Sequence, residues 1–129
     1  MHKGFIKTAA ILGALSVGLG AFGAHTLKQF LEENTIKVFE TAVRYQFYHV
    51  FALLITGILY KDFPNKMLKW AGIFFIAGII LFSGSLYFLT GIKGSGLEGY
   101  NWVGAITPVG GLFFIAGWIG LFGAVFKNK

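Results

Sequence analysis

Four long apolar runs constrain this chain more than any other feature of its sequence. They cover about 5–24, 43–60, 70–90 and 103–126 of the 129 residues. About 20 helical residues cross the roughly 30 Å hydrocarbon core of a bilayer, so each run is long enough or nearly so. Lipid offers no hydrogen-bond partner to free backbone N–H and C=O groups, so spans must be helices or barrel strands. Apolar runs of this length are not typical of barrel strands. The runs predict an all-α fold: an integral membrane four-helix bundle forming a single transmembrane domain over residues 1–129.

Composition agrees with a membrane protein. Only 12% of the residues are charged, whereas a soluble domain carries about a quarter. The 15 phenylalanines exclude a disordered chain, and the 19 glycines follow no collagen period. The absence of cysteine excludes disulfides and thiolate metal sites.

The first run has a second interpretation as a secretory signal peptide. Lys3 and Lys7 precede its apolar stretch, and Ala21-Phe22-Gly23 resembles a cleavage motif. The apolar stretch is longer than a usual signal sequence, which favours a retained span.

The connections between the runs differ in character. Thr26–Ala42 has apolar residues near helical spacing and charged residues elsewhere, which predicts an interfacial helical segment between spans 1 and 2. Lys61–Lys69 contains Pro64, a helix stop signal, and Gly91–Trp102 contains four glycines typical of a flexible turn.

Lysine and arginine are distributed unevenly between the two sides of this topology. Seven of them fall on the termini and the connection at 61–69, and four on the other two connections. Cytoplasmic loops carry the excess of basic residues, so both termini are predicted to be cytoplasmic in a bacterial plasma membrane.

Two runs contain small residues at four-residue steps. They are Ala10, Ala14 and Gly18 in the first run, and Ala116, Gly120 and Ala124 in the fourth. Small residues let membrane helices approach closely. We interpret both faces as packing within the bundle, with homo-oligomer contact as the alternative.

Polar residues inside the spans concentrate in the half of the bilayer opposite the termini. Ionisable groups at such depth usually face a bundle interior or a wet cavity. Tyr45 and His49 share a helix face, and Glu40 and Arg44 have the spacing of an ion pair. We therefore predict a polar pocket that opens outward. Its candidate residues are His25, Arg44, Tyr45, His49, Ser83, Ser85, Tyr87 and Thr107. Pro108 cannot donate to the Gly104 carbonyl and predicts a kink in the fourth helix.

The same residues permit other interpretations. The histidines and serines are favoured as structural hydrogen-bonding groups, with a ligand or ion site next and a bis-histidine haem or metal site last. No metal or cofactor is predicted, because two histidines without carboxylates are too few for a zinc centre. Ser83 and Ser85 lack a nucleophile elbow, and no acidic residue in the spans would orient a histidine, so no enzyme is predicted.

The leading functional hypothesis is a non-enzymatic multi-pass membrane protein that binds a small or lipidic ligand, or a membrane partner. The alternative is a small transporter or channel subunit that acts as an oligomer, although such proteins usually have polar groups near the midplane. The expected partners are the lipid bilayer and either a second copy or another membrane protein. Nucleic acid is not expected, because the basic residues are scattered between apolar runs.

Four stretches carry a family resemblance. They are GAFGAH at Gly20–His25, FETAVRYQFYH at Phe39–His49, LFSGSLY at Leu81–Tyr87 and GAITPVGGLFFIAGW at Gly104–Trp118. In this order they resemble the YgdD-like family of small bacterial membrane proteins, a domain of unknown function, over nearly the whole chain. The resemblance implies a multi-pass plasma-membrane protein with four spans, and it implies no catalytic residues.

Overall fold

The computed structural model describes residues 1–96 and 99–127, except for the side chains of residues 101 and 127. Lys129, which is one of the seven basic residues counted above, lies outside the described residues. The regular elements are α1 (Lys3–His25), a 3-10 helix (Leu27–Gln29), α2 (Glu33–Leu59), α3 (Lys66–Gly78), a π-helical segment (Ile79–Ser83), α4 (Gly84–Gly94), a second 3-10 helix (Asn101–Ala105) and α5 (Ile106–Lys127).

Four helical stretches are long and apolar enough to cross a membrane. They are Lys3–Gln29, Glu33–Leu59, Lys66–Gly94 and Trp102–Phe126. The predicted all-α membrane fold with four spans is confirmed.

Hydrogen bonds bring both chain ends to one end of the bundle. The backbone N–H of His2 donates to the Gly57 carbonyl near the end of α2, at 2.8 Å. The Asn65 side chain caps α3 by accepting from the Leu68 N–H at 2.9 Å. Its amide nitrogen also donates to the Ala124 carbonyl near the end of α5, at 3.2 Å. The beginning of α1, the connection at 60–65 and the end of α5 therefore lie together, at what we call the terminal end.

Helix α2 is longer than its apolar run. The predicted segment at 26–42 is helical from Glu33 onward and continues without a break into the second span. Glycine and proline are absent between Glu33 and Thr56, and an acidic side chain in the first turn suits a helix N-terminus. The 27 residues extend about 40 Å, roughly 10 Å more than the hydrocarbon core. If Leu59 lies at one hydrocarbon boundary, the other boundary falls near Glu40.

The third span changes geometry near its middle. Helix α3 passes into the π-helical segment and then into α4, with Gly78 before the segment and Gly84 after it. Single π turns are rare and interrupt the regular backbone hydrogen bonds. This places an irregular piece of backbone at membrane depth, where protein groups must satisfy it.

The helices pack in sequence around an apolar core. Helix α1 packs on α2, α2 packs on α3, the π-helical segment and α4, and α5 packs mainly on α3 and the π-helical segment. The buried core residues are Phe5, Ala9, Val50, Ala52, Leu53, Phe75, Ile79 and Phe114. Helix α1 is the most peripheral of the four spans, with 17% of its most apolar window buried.

Phenylalanine rings fill spaces beside glycines of neighbouring helices. A Cβ atom added to Gly72 would overlap the Phe5 ring. The same relation holds for three further pairs, Gly23 with Phe39, Gly78 with Phe114, and Gly117 with Phe75. We call these four pairs the glycine sockets. They account for four of the 19 glycines and four of the 15 phenylalanines by close packing between helices.

The two small-residue faces have different surroundings. On α5, Ala124 is buried, and a Cβ at Gly120 would lie 3.3 Å from the Ala71 Cβ of α3. On α1, Ala10, Ala14 and Gly18 are all exposed. The face on α5 is therefore used inside the bundle. The face on α1 lies on its outer surface, and homo-oligomer contact through it stays a prediction.

The predicted turn at 91–102 is shorter than expected. Helix α4 continues to Gly94, and the second 3-10 helix begins at Asn101. Gly96 and Gly99 have φ values of 73° and 88°, which favour glycine. Glycine near a helix end often permits this change of direction.

Candidate functional site

Polar side chains that are buried or half-buried between the helices form one set of candidate residues. We define the polar cluster as Gln46, His49, Ser83, Ser85, Tyr87 and Thr107. Five of these six were in the predicted pocket. In the described part of the chain, every buried side-chain nitrogen or oxygen has a hydrogen-bond partner. The cluster is packed rather than open.

Gln46 links three helices. Its carbonyl oxygen accepts from the Tyr87 hydroxyl of α4 at 2.5 Å. Its amide nitrogen donates to the Leu12 carbonyl of α1 at 3.0 Å. Gln46 is 3% exposed, so both polar ends of the amide are satisfied away from water.

Three hydroxyl groups make hydrogen bonds in and beside the π-helical segment. Ser83 donates to the Ala42 carbonyl of α2 at 2.7 Å. Ser85 donates to the Phe82 carbonyl at 2.9 Å and shares a hydrogen bond of 2.5 Å with Thr107 of α5. These contacts join the π-helical segment to α2 and α4 to α5, so both serines have structural roles.

His49 makes hydrogen bonds through both ring nitrogens and stacks against a phenylalanine ring. Its Nδ1 lies 2.8 Å from the Tyr45 carbonyl, and Trp118 Nε1 donates to its Nε2 at 3.1 Å. The carbonyl can only accept, and Nε2 must accept from the indole. These partners therefore assign the neutral ring with its proton on Nδ1. Phe114 stacks on the ring at 3.5 Å between centroids. Both nitrogens are engaged, so coordination of a metal would require breaking one of these bonds.

The other three predicted pocket residues lie outside the polar cluster. His25 is exposed at the end of α1, and Arg44 and Tyr45 are exposed on α2. The Tyr45 ring stacks on Phe82 at 4.6 Å between centroids. Of the eight predicted residues, five make hydrogen bonds between or within the helices, of which Ser85 and Thr107 bond to each other, and these three lie on the surface. A shared pocket stays a prediction.

Pro108 lies in the first turn of α5, two residues after the 3-10 helix changes to α-helical geometry at Ile106. A proline is tolerated in the first turn because the N–H groups there have no helical acceptor. The change of geometry precedes Pro108, and the predicted kink at the proline itself stays a prediction.

Two members of these contacts were not predicted as site residues. Gln46 lies three residues before His49, on the same helix face, and this spacing was the available signal. Trp118 is 46% exposed and lies in an otherwise apolar run, where an indole N–H needs an acceptor because lipid offers none. That second signal does not say which acceptor the indole finds.

A groove between α1 and α2 forms the second candidate site. Its volume is about 160 Å³. The residues that line it are Gly20, Gly23, Ala24, Phe39, Glu40, Val43 and Arg44. The groove combines a floor of small and apolar groups with two charged side chains, and Arg44 is the one predicted pocket residue that lines it. The sequence did not predict the glycines on the floor of the groove, because the absence of a side chain creates a groove only once a second helix packs beside it.

The charges at the groove do not neutralise each other. Glu40 and Arg44 are both exposed. Within the described residues the ion pair closer than 4 Å is Lys37 with Glu33, at 3.9 Å, and neither groove charge takes part in it. Arg44 lies four residues beyond Glu40, about 6 Å further along α2 toward its apolar part. An arginine inside a membrane needs a polar partner or must extend toward water.

Comparisons with known proteins identify the family. The model for a protein of unknown function, DUF423, matches residues 19–111. A UPF0382 membrane protein of Staphylococcus haemolyticus is 43% identical over 125 residues, 97% of each chain. One from Staphylococcus aureus strain USA300 is 45% identical over the same shares. The UPF0382 membrane protein YwdK of Bacillus subtilis is 41% identical over 118 residues, 91% of each chain.

No solved structure matches this chain. The narrower resemblance to a YgdD-like group stays a prediction. The relatives are called membrane proteins, and this chain has four stretches able to span a bilayer. It is therefore a multi-pass membrane protein that belongs to the DUF423 family, whose curated relatives carry the name UPF0382 membrane protein.

Proposed function

We propose that this protein binds a membrane lipid in the groove between α1 and α2. The observation that carries the proposal is Arg44, a cation without an ion-pair partner among the described residues, beside an apolar groove at membrane depth. An acyl chain would lie on the floor of the groove, and its phosphate would bind the guanidinium group.

The shape and lining of the groove support a hydrocarbon occupant. Gly20, Gly23 and Ala24 present little side chain on the α1 side, and Val43 and Phe39 present apolar groups on the α2 side. An apolar cavity of about 150 Å³ is large enough to take up benzene. A groove of about 160 Å³ therefore suits a short length of an acyl chain.

The position of Arg44 supports a phosphate as the polar group. With Leu59 placed at one hydrocarbon boundary, the other boundary falls near Glu40, and Arg44 then lies about one turn inside it. Charged side chains inside a membrane are expensive unless they are paired. The guanidinium group binds phosphate oxygens with two parallel hydrogen bonds, which makes a lipid phosphate a fitting partner.

Blocking the groove tests this proposal. A Cβ at Gly20 would lie 3.5 Å from Val43 Cγ1, an ordinary contact, so Gly20→Leu should fold while its side chain fills the groove. We expect the protein purified from its membrane to retain lipid in native mass spectrometry. Gly20→Leu should reduce the retained lipid at least about fivefold, roughly the 1 kcal/mol of a few lost apolar contacts.

Gly18→Leu is the matched control. It makes the same substitution on the same helix, but a Cβ at Gly18 meets nothing within 4 Å and Gly18 does not line the groove. The control should retain lipid like the unmodified protein, and both variants should keep their melting temperature. Equal retention in the two variants, or no retained lipid in any of the proteins, would overturn the proposal.

We also propose that the protein lies in a bacterial plasma membrane with both termini in the cytoplasm. The uneven distribution of lysine and arginine supports this orientation. The chain has no cysteine, so single cysteines can be introduced directly. A membrane-impermeant maleimide should label Lys28→Cys in intact cells, whereas Lys61→Cys should react only after permeabilisation. The reverse pattern would invert the proposed orientation.

Binding has more support here than transport or catalysis. The buried polar side chains are engaged with one another or with backbone carbonyls throughout the described part of the chain. The serines donate to carbonyls, and both nitrogens of His49 are occupied. These groups fasten helices together, while the groove presents unoccupied charge and apolar surface.

A further inference from the structure

We infer that the groove selects an aminophospholipid, whose phosphate binds Arg44 and whose primary ammonium group binds Glu40. This inference rests on the proposed function and names the headgroup that the same groove takes. It uses Glu40, which the binding of a generic lipid at Arg44 leaves unexplained.

The first support is that both charges remain available. Glu40 precedes Arg44 by four residues, the order that favours an ion pair along a helix. Glu33 and Lys37 have the same spacing and order one to two turns earlier on α2, and they do form such a pair. Glu40 and Arg44 instead line the groove without pairing. The groove therefore offers one anion and one cation to a ligand that carries both charges.

The second support is the order of the two charges along the membrane normal. Arg44 lies nearer to the apolar part of α2, and Glu40 lies about 6 Å nearer to its polar N-terminal end, so with that end projecting from the bilayer Arg44 is the deeper of the two. In a phospholipid the phosphate is attached next to the glycerol, and the headgroup amine lies further out. A lipid with its acyl chain along the groove would therefore meet the guanidinium group with its phosphate and the carboxylate with its amine.

The chemistry of the amine decides between classes of headgroup. A primary ammonium group carries three N–H donors, and a carboxylate accepts at two oxygens. A trimethylammonium group has the same charge but no N–H to donate. A headgroup with a phosphate and no amine would bring its negative charge toward Glu40 without compensation. The groove should thus prefer phosphatidylethanolamine to phosphatidylcholine and to phosphatidylglycerol.

Lipid titration followed by native mass spectrometry tests this preference with the full chain. The probes are phosphatidylethanolamine, phosphatidylcholine and phosphatidylglycerol with identical acyl chains. We expect phosphatidylethanolamine to bind about tenfold more tightly than either of the others, as one charge-assisted hydrogen bond allows. Equal binding of the three lipids, or a preference for phosphatidylglycerol, would overturn the inference.

Two substitutions assign the preference to the named side chains. Glu40→Gln should abolish the preference for phosphatidylethanolamine while lipid still binds. Arg44→Gln should weaken the binding of all three lipids. Glu33→Gln is the matched control, because Glu33 pairs with Lys37 and does not line the groove. It should keep the preference, and a Glu40→Gln variant that also keeps it would contradict the assigned role of the carboxylate.

The outcomes separate this inference from the proposed function. Lipid that is displaced by Gly20→Leu but shows no headgroup preference would overturn the aminophospholipid alone. Lipid that is indifferent to Gly20→Leu would overturn binding in the groove, and the headgroup assignment with it.

Discussion

Gly110→Ala should destabilise the folded bundle by about 3 kcal/mol or more, although alanine is the better helix former by about 1 kcal/mol. A Cβ atom at Gly110 would overlap the backbone nitrogen and Cα of Phe82, in the π-helical segment. A flexible side chain could move aside, but this backbone is held by the hydrogen bond from Ser85 to the Phe82 carbonyl and, one residue on, by the bond from Ser83 to α2. Relief of the overlap therefore requires α5 to move away from the third span.

Gly111→Ala is the control for this substitution. The neighbouring Cβ would lie 4.0 Å from Phe82 Cδ2, an ordinary contact, so this variant should be neutral or slightly stabilised. Thermal unfolding in detergent, followed by circular dichroism and by size-exclusion chromatography of the soluble fraction, compares the two. Equal melting temperatures for both variants would show that α5 does not approach the third span as closely as described.

Phe75→Ala should cost about 2–3 kcal/mol of stability. Phe75 is 0% exposed, and its ring fills the socket at Gly117 beside the rings of His49 and Trp118. In soluble proteins the same change costs about 3–5 kcal/mol, part of it from transfer out of water. Here the unfolded helices remain in lipid, which is as apolar as the core, so that part is largely lost. What remains is a cavity of roughly 100 Å³ at about 24 cal/mol per Å³.

The control for Phe75→Ala is Phe122→Ala. Phe122 is 70% exposed on α5 and faces the surroundings of the bundle. Its truncation leaves no cavity, so the stability of the bundle should change little. Unfolding in a denaturing detergent, monitored by tryptophan fluorescence, measures both variants. A larger loss for Phe122→Ala than for Phe75→Ala would mean that the assigned core is wrong.

The sequence predicted the fold class because the bilayer permits few alternatives. In lipid, four apolar runs of about 20 residues must form helices to satisfy the hydrogen bonds of their backbone N–H and C=O groups. The structure has four such spans. The full length of α2 was harder to predict from the sequence, because its first turns are polar. An apolar run marks only the part of a helix that lies in lipid. The π-helical segment carries no distinct pattern in Ile79–Ser83, since it depends on the neighbours that satisfy its freed carbonyls.

The polar residues were predicted as a set, and their partners were not. Burial cost alone indicates that Ser83, Ser85 and Thr107 seek hydrogen bonds at membrane depth. Which of them meet depends on helix rotation, which four short apolar patterns do not determine. The groove depends on an absence of side chains at Gly20 and Gly23, and its shape appears when α2 is placed beside them. Packing therefore supplied the part of the candidate site that composition left open.

The glycine sockets also bear on how the helices find one another. In a membrane, spans insert first and associate afterwards, and lipid gives little reason to prefer one apolar surface over another. A ring that enters a socket gains close contact, whereas the same ring against a helix with a side chain at that position is excluded. Each socket joins residues on different helices, such as Phe5 with Gly72 and Phe114 with Gly78. The sockets thus allow the helices to recognise one another by complementary shape rather than by charge.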